Sequence, residues 1–201
     1  IKYVIDVYNI KNIEVFNARW LTKTQSIEGI CQAELFVKVS DIRDSEGYNA
    51  LSLISYDDND ISSGTVPWYT ELSLNEHTTR TSCSINTELV IQELHDNDDM
   101  VWLVNPFEIT NQQRSEVIEM WNNAKDFLVN KQGLVNARLF KSDMESKYNL
   151  FNIAAWLSSE DIQQALDDKG YSSHKGRSMH YKLHPSLCKR VYNIKKGKTH
   201  E

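Results

Sequence analysis

Residues 148–156 read Tyr-Asn-Leu-Phe-Asn-Ile-Ala-Ala-Trp, and residues 48–56 read Tyr-Asn-Ala-Leu-Ser-Leu-Ile-Ser-Tyr. Both stretches begin with Tyr-Asn, are rich in apolar residues and have the length of a strand. They differ at their fifth and ninth positions, which are Ser52 and Tyr56 in the first copy and Asn152 and Trp156 in the second. The pair predicts a tandem repeat whose second copy has kept polar chemistry that the first copy lacks.

A second pair of matching stretches precedes the first pair. Residues 29–36 read Gly-Ile-Cys-Gln-Ala-Glu-Leu-Phe, and residues 133–140 read Gly-Leu-Val-Asn-Ala-Arg-Leu-Phe, at an offset of 104 residues. The Tyr-Asn strands match at an offset of 100, so the first copy has four extra residues in its hairpin, at 40–47. Two matched blocks in the same order indicate a duplication.

The periodicity of apolar residues gives both halves the same order of elements. In the first half it predicts strands over 2–10, 30–39, 48–56 and 83–94, and helices over 12–26 and 68–79. In the second half it predicts strands over 100–109, 134–142, 148–156 and 187–194, and helices over 110–131 and 159–167. The polar segment 170–178 is predicted to be a mobile loop.

Each half therefore follows the order βαββαβ, the order of the ferredoxin-like unit, which has an antiparallel sheet with both helices on one face. The predicted fold class is α+β, with two tandem ferredoxin-like domains whose antiparallel sheets pack face to face as an internal pseudo-dimer. A run without apolar residues at 95–99 places the boundary, giving a degenerate domain 1–95 and a second domain 96–201. We expect a pocket between each sheet and its helices, and exposed edge strands could also support a homo-oligomer.

The bulk properties exclude several classes of partner. The chain has 201 residues and a net charge of −6, which argues against binding to nucleic acid. No apolar run reaches membrane-spanning length, and no secretory leader pattern opens the sequence. The cysteines Cys31, Cys83 and Cys188 lie far apart, without the spacing of a metal site. These features predict a cytoplasmic protein with reduced thiols, no metal site and no membrane partner.

Several short blocks within residues 101–194 resemble, in order, the antibiotic biosynthesis monooxygenase family. The blocks are Val-Asn-Pro-Phe-Glu-Ile, a helix with Trp121, Gly-Leu-Val-Asn-Ala-Arg-Leu-Phe, Phe-Asn-Ile-Ala-Ala-Trp-Leu-Ser-Ser-Glu and His-Pro-Ser-Leu-Cys. The last block ends in Cys188, where the family usually has an aromatic residue. The resemblance implies a dimeric ferredoxin-like α+β barrel, with the first half as a degenerate copy that serves as the internal partner.

The resemblance also implies an activity. Members include cofactor-independent oxygenases that act on anthrones, quinols and related polyketides, so we expect a monooxygenase that needs O2 and no cofactor. In those members an Asn and a Trp four residues apart face the pocket, as Asn152 and Trp156 would, because side chains four apart in a strand point to the same side. Asn152 could donate a hydrogen bond to an enolate oxygen, and Trp156 could stack on the ring and donate through its indole N–H.

Five further residues are candidates for the site. His174 is the candidate catalytic base, because imidazole titrates near neutral pH. Asn105, Phe107, Arg138 and His180 are candidates for substrate binding, with Asn105 as a pocket donor and Arg138 as the group that offsets an anionic substrate. Each also has a plain structural interpretation, such as a surface ion pair for Arg138 or an exposed loop position for the two histidines.

Other functions on the same fold stay open. The protein could be a non-oxidative polyketide cyclase or a small-ligand-binding protein, or a structural member with both pockets collapsed. Haem-degrading enzymes also belong to the family, but Ala165 stands where the resemblance would place a Trp. The partners expected from the leading hypothesis are a small aromatic or polyketide-like substrate and O2.

Overall fold

The structure is a computed structural model that describes residues 1–43, 47–57 and 78–196. In the first half the described elements are β1 (Lys2–Tyr8), α1 (Ile13–Ser26), β2 (Ile30–Asp41), β3 (Ala50–Tyr56) and β4 (Thr78–Val90). The second half contains β5 (Val101–Glu108), α2 (Arg114–Leu128), β6 (Leu134–Ser142), β7 (Leu150–Trp156), α3 (Ser159–Asp167), α4 (Ser172–Ser178), β8 (Lys182–Leu183) and β9 (Ser186–Lys195).

The chain forms two compact units. The first unit comprises Ile1–Val37, Gly47–Ser84 and Arg190–Glu201, and the second comprises Lys38–Glu46 and Ile85–Lys189. The division therefore falls inside β2, β4 and β9. The predicted domains, 1–95 and 96–201, divide the repeated sequence rather than these compact units, and they stay a prediction.

Within each unit the strands pair in antiparallel fashion. The strand order in the first unit is β4-β1-β3-β2-β9, and in the second unit it is β4-β6-β7-β5-β9, with the short β8 also paired to β5. The order β-α-β-β occurs twice, as β1-α1-β2-β3 and as β5-α2-β6-β7. The predicted α+β fold with tandem ferredoxin-like halves is confirmed.

The repeat extends to local backbone geometry. Gly29 and Gly133 follow the first helix of each copy with φ of +81° and +87°, a conformation that glycine adopts without strain. Immediately afterwards both copies contain an irregularity in strand register, between Ile30 and Gln32 in β2 and between Leu134 and Asn136 in β6. An irregularity of this kind, a β-bulge, changes which side chains face each side of the sheet.

The repeated Tyr-Asn pair owes its asparagine to the same structural role in both copies. Asn49 accepts a hydrogen bond from the backbone N–H of Ile10 and donates one to its carbonyl, both at 2.8 Å. Asn149 donates to the carbonyl of Ile109 at 2.5 Å and accepts from the hydroxyl of Ser142 at 2.9 Å. Each asparagine thereby ties the start of one strand to the residue that follows its antiparallel neighbour.

Two predicted helices differ in extent. The helix predicted over 68–79 lies for the most part outside the described residues, and β4 begins at Thr78. The helix predicted over 110–131 begins only at Arg114. Thr110 and Gln113 form a turn before it, in which the backbone N–H of each bonds to the side-chain oxygen of the other, at 3.0 and 3.3 Å.

The prediction of a mobile loop at 170–178 is wrong, because a turn of 3-10 helix and then α4 occupy this segment. The side chain of Asp168 accepts from the backbone N–H of Gly170 at 2.7 Å, which begins the turn. Three aromatic rings then pack together, with centroids 5.5 to 5.8 Å apart: those of Phe127, Tyr171 and His174. Tertiary packing stabilises a helix that its Ser- and Gly-containing sequence does not favour.

None of the helices in the described ranges is long and apolar enough to cross a membrane. The same ranges contain no group of three or more His, Cys, Asp and Glu side chains that could hold a metal ion. No disulfide joins the three cysteines, all of which lie in the described ranges, and burial raises the pKa of Cys188 to about 12, so its thiol stays protonated at neutral pH.

Candidate active site

A cavity of about 610 Å³ lies in the second unit between one face of the sheet and the helices. Its volume falls within the range of small-molecule sites, which is roughly 300–1,000 Å³. The strands contribute Leu103, Asn105, Phe107, Leu134, Ala137, Asn152, Ala154 and Trp156 to its wall, and α2 contributes Met120, Trp121, Ala124, Lys125 and Leu128. The rest of the wall comes mainly from α4 and the segments around it. Most of this wall is apolar, so the few polar groups in it identify the chemistry.

Two asparagines face each other across neighbouring strands. Asn105 on β5 and Asn152 on β7 are directly paired in the antiparallel register, so their side chains lie on the same face of the sheet. The side-chain oxygen of Asn105 accepts a hydrogen bond from the backbone N–H of His184 at 2.9 Å. This bond engages the oxygen of Asn105, and the N–H groups of its amide can donate to a ligand in the cavity.

Asn152 differs from Asn105 in its hydrogen bonding. Its side-chain oxygen is buried and has no hydrogen-bond partner among the described residues. The indole Nε1 of Trp156, four residues further along β7, is also buried without a partner in those ranges. Buried polar atoms usually have a partner, so two such atoms on the cavity-facing side of one strand indicate groups that are available to a ligand.

His174 lines the same cavity from α4. Its ring packs against those of Phe127 and Tyr171, at centroid distances of 5.6 and 5.5 Å. Burial raises the pKa of the Tyr171 hydroxyl, which therefore stays protonated at neutral pH. Among the described residues of the wall, His174 is the one imidazole, the side chain that most often acts as a general base in enzymes.

The cavity brings five of the seven predicted site residues together and leaves two outside. Its wall includes Asn105, Phe107, Asn152, Trp156 and His174. Arg138 and His180 do not line it.

The positions of the two excluded residues have clear causes. Arg138 is paired with Ile153, the neighbour of Asn152, so it lies on the opposite face of the sheet. Its guanidinium lies 5.6 Å from the ring of Phe140. His180 is exposed in the turn that ends α4, where its backbone N–H bonds to the carbonyl of Arg177 at 3.3 Å.

Arg43 is a wall residue that the sequence analysis did not identify. It lies in the segment after β2, and its guanidinium donates to the carbonyls of Ser178, Tyr181 and Leu183 at 3.3, 3.0 and 3.4 Å. Burial lowers its pKa from the ordinary range of arginine. The one sequence signal for it was the four-residue lengthening of the hairpin at 40–47.

The corresponding polar residues of the first unit bond to one another. Asp6 is paired in register with Ser52, as Asn105 is with Asn152 in the second unit. The hydroxyl of Tyr8 donates to Asp6 at 3.1 Å and lies 3.2 Å from the hydroxyl of Ser52. A bidentate ion pair completes the cluster, with two bonds of 2.8 Å to Asp6 from Arg80.

The fold resembles those of several solved structures. An anthrone oxidase-like protein superposes with a TM-score of 0.71 at 13% identity, covering 98% of this chain and 94% of that one. A proposed monooxygenase from Fusobacterium nucleatum gives 0.64 at 12% identity, covering 98% and 94%. A ferredoxin-fold protein from Listeria monocytogenes, related to antibiotic biosynthesis monooxygenases, gives 0.51 at 11% identity, covering 96% and 95%.

No protein-family model matches the sequence, and none of the curated proteins matches it either. The full-length similarity nevertheless shows that this chain has the fold of the anthrone oxidase-like proteins and of relatives of the antibiotic biosynthesis monooxygenases, as the sequence resemblance implied. At identities of 11–13% the similarity establishes the fold and leaves the reaction to be argued from the site.

Proposed function

We propose that the second unit is a cofactor-independent monooxygenase that oxidises an electron-rich polycyclic aromatic, anthrone or quinol-type compound with O2. The observation that carries this proposal is the apolar cavity whose wall holds the amide of Asn152, paired across the strands with Asn105, and the indole N–H of Trp156, which has no partner among the described residues. The fold of the anthrone oxidase-like protein supports it.

An anthrone can react with O2 without a metal or flavin, because its enolate gives up an electron readily. Loss of a proton forms the enolate, one electron passes to O2, and the two radicals combine to a peroxide at the former CH2 carbon. The peroxide takes up the proton, its O–O bond breaks, and the remaining hydrogen of that carbon leaves with the distal oxygen as water. One anthrone and one O2 thus give one anthraquinone and one water.

The residues of the cavity suit the first step of this reaction. N–H groups of Asn105 and Asn152, together with the indole N–H of Trp156, would donate to the oxygen on which the negative charge of the enolate develops. The apolar wall would exclude bulk water, which strengthens these hydrogen bonds and protects the radical pair. His174 would accept the proton and return it to the peroxide.

Oxygen consumption tests this function. Purified protein is mixed with dithranol, a dihydroxyanthrone, in the presence of a metal chelator, and O2 uptake and quinone absorbance are followed against a protein-free blank. We expect uptake above the blank, with one O2 consumed for each quinone formed. If neither dithranol nor a series of quinols is oxidised faster than in the blank, the oxygenase proposal is wrong.

A pair of matched variants locates the activity. Asn152→Ala removes a donor to the developing oxyanion, and the rate above the blank should fall by about 100-fold, as expected for the loss of one such donor. Ser52→Ala changes the matching position of the first unit and should leave the rate unchanged. Equal effects of the two variants would contradict the assignment of the site to the second unit.

A second candidate is a non-oxidative small-ligand-binding protein or polyketide cyclase. The wall composition favours it, because none of the described wall residues is Asp or Glu and the ring of His174 already packs against two aromatic rings. Such a protein would bind dithranol, quench tryptophan fluorescence and consume no O2. The same experiment therefore distinguishes the two functions.

The proposal also includes a cytoplasmic location and small-molecule partners. Three cysteines that form no disulfide fit a reducing compartment, in which thiols persist. The expected partners are the aromatic substrate and O2, because the cavity has the size of a small-molecule site.

A further inference from the structure

We propose that the ligand of the cavity is an aromatic anion, carrying a carboxylate or an ionised hydroxyl, and that Arg43 binds its negative charge. This inference rests on the proposed function in one respect, namely that this cavity is the substrate site. It adds the charge of the substrate and assigns a role to a residue in the lengthened hairpin of the first copy.

The charge of the wall is unbalanced. Its described basic residues are Arg43, Lys125 and Lys175, and no described wall residue is acidic. Lys125 is partly neutralised, since its ammonium lies 3.4 Å from the carboxylate of Asp126, and Lys175 is exposed to solvent. Arg43 is half-buried and has no such compensation in the described part of the chain.

The hydrogen bonds of Arg43 hold its guanidinium in place without neutralising it. Its described acceptors are the carbonyls of Ser178, Tyr181 and Leu183 and the sulfur of Met179, all of which are uncharged. Burial lowers the pKa of Arg43, which means that the charged form is disfavoured in this environment. An anion in the cavity would relieve that cost and form a charge-assisted hydrogen bond.

Two other arginines of the protein show the usual arrangement. Arg80 forms a bidentate pair with Asp6, with bonds of 2.8 Å. Arg190 and Glu34, both nearly inaccessible, are joined by a bond of 2.6 Å. Arg43 is only half-buried, its described acceptors are uncharged, and it lines the cavity of the second unit. The ligand can supply the missing negative charge.

A pair of ligands with the same ring system tests the proposal by direct binding. Rhein carries a carboxylate where chrysophanol carries a methyl group, and both are anthraquinones that cannot be oxidised further at the ring. Their affinities are measured by quenching of tryptophan fluorescence. We expect the protein to bind rhein about tenfold more tightly than chrysophanol, and added salt to reduce this preference.

Arg43→Gln should remove the preference. The affinity for rhein should fall about tenfold, and the affinity for chrysophanol should change by less than about twofold. Arg43→Lys keeps the charge and should keep part of the preference. Lys38→Gln removes a charge from β2, outside the cavity wall, and serves as the matched control. It should bind both ligands as the unaltered protein does.

The outcomes separate this inference from the oxygenase proposal. Equal binding of rhein and chrysophanol by the unaltered protein overturns the inference. So does an Arg43→Gln variant that weakens both ligands alike, because that result assigns Arg43 a purely structural role in holding residues 178–183. A charge preference in a protein that consumes no O2 supports the anion site and overturns the oxygenase alone. O2 uptake by a protein without any charge preference supports the oxygenase proposal and overturns the anion site.

Discussion

The first and second units differ in how they satisfy the polar side chains on the helix side of their strands. In the first unit the polar residues that face the helix side of the sheet bond to one another, because Asp6, Tyr8, Ser52 and Arg80 form a closed cluster. In the second unit the positions of Asp6 and Ser52 are taken by Asn105 and Asn152, which line a cavity. One copy uses its polar groups for stability, and the other leaves them available.

Apolar residues at matching positions of the two copies also differ, in the size of their side chains. Counting back from Gly29 and Gly133, Trp20 of α1 corresponds to Ala124 of α2. Trp20 is fully buried in the core of the first unit and stacks on Tyr192 at a centroid distance of 6.0 Å, whereas Ala124 lines the cavity.

The strands repeat this difference. At the position of Ile54 in β3, β7 has Ala154, which also lines the cavity. At these two positions the first copy has a large core side chain, and the second copy has an alanine that borders the cavity. A duplicated fold can therefore keep one copy for packing and the other for binding.

The largest expected difference between the units is in stability. Asp6→Asn would leave Arg80 without its buried carboxylate, and the free energy of unfolding should fall by about 3 kcal/mol. Asn152→Ala removes an amide oxygen that has no described partner, so its cost should stay below about 1 kcal/mol. Urea unfolding measures both. If the two variants lose equal stability, the contrast between closed and open polar groups is wrong.

Filling the cavity with the side chain of the first copy should produce an intermediate effect. Ala124→Trp should weaken the binding of dithranol by at least about tenfold, because the indole would occupy the space of the ligand. The free energy of unfolding should rise by about 1 kcal/mol, as for other cavity-filling changes. Fluorescence titration and urea unfolding test the two statements. A variant that binds dithranol normally would show that the ligand lies elsewhere.

The smallest expected difference between the units is a pH-dependent contribution to the free energy of unfolding. Burial opposes the ionisation of Glu108, but hydrogen bonds from His184 at 3.0 Å and from Lys182 outweigh it and lower the pKa of this carboxyl. The ionised form therefore stabilises the folded state fully above the ordinary pKa of 4.5, and this stabilisation is lost as the pH falls through the lowered value. The corresponding residue of the first copy is Asn9, which does not titrate.

Glu108→Gln should accordingly reduce the free energy of unfolding at neutral pH by less than about 1 kcal/mol, because the carboxyl is partly exposed. The difference from the unaltered protein should disappear in acid, below the lowered pKa. Urea unfolding over a series of pH values measures it. A difference that grows as the pH falls would have the wrong sign for this explanation.

The sequence was enough to predict the tandem repeat. It was also enough to predict that Asn152 and Trp156 lie on the same face of their strand, because this follows from local periodicity. It could not place Arg138, since the bulge between Leu134 and Asn136 shifts the alternation of side chains along β6. The sequence also could not predict contacts between distant parts of the chain. Arg43 bonds to residues more than 130 positions away, and α4 depends on ring packing that its own composition does not suggest.

The passage of β4 and β9 between the units has a consequence for how this protein can evolve. The first unit includes Arg190–Glu201 from the end of the chain, and the second includes Ile85–Val90 from the first copy. Deleting either copy of the duplicated gene would therefore remove a strand from the unit built mainly by the other. We therefore expect a chain truncated to either copy alone to leave the remaining unit one strand short.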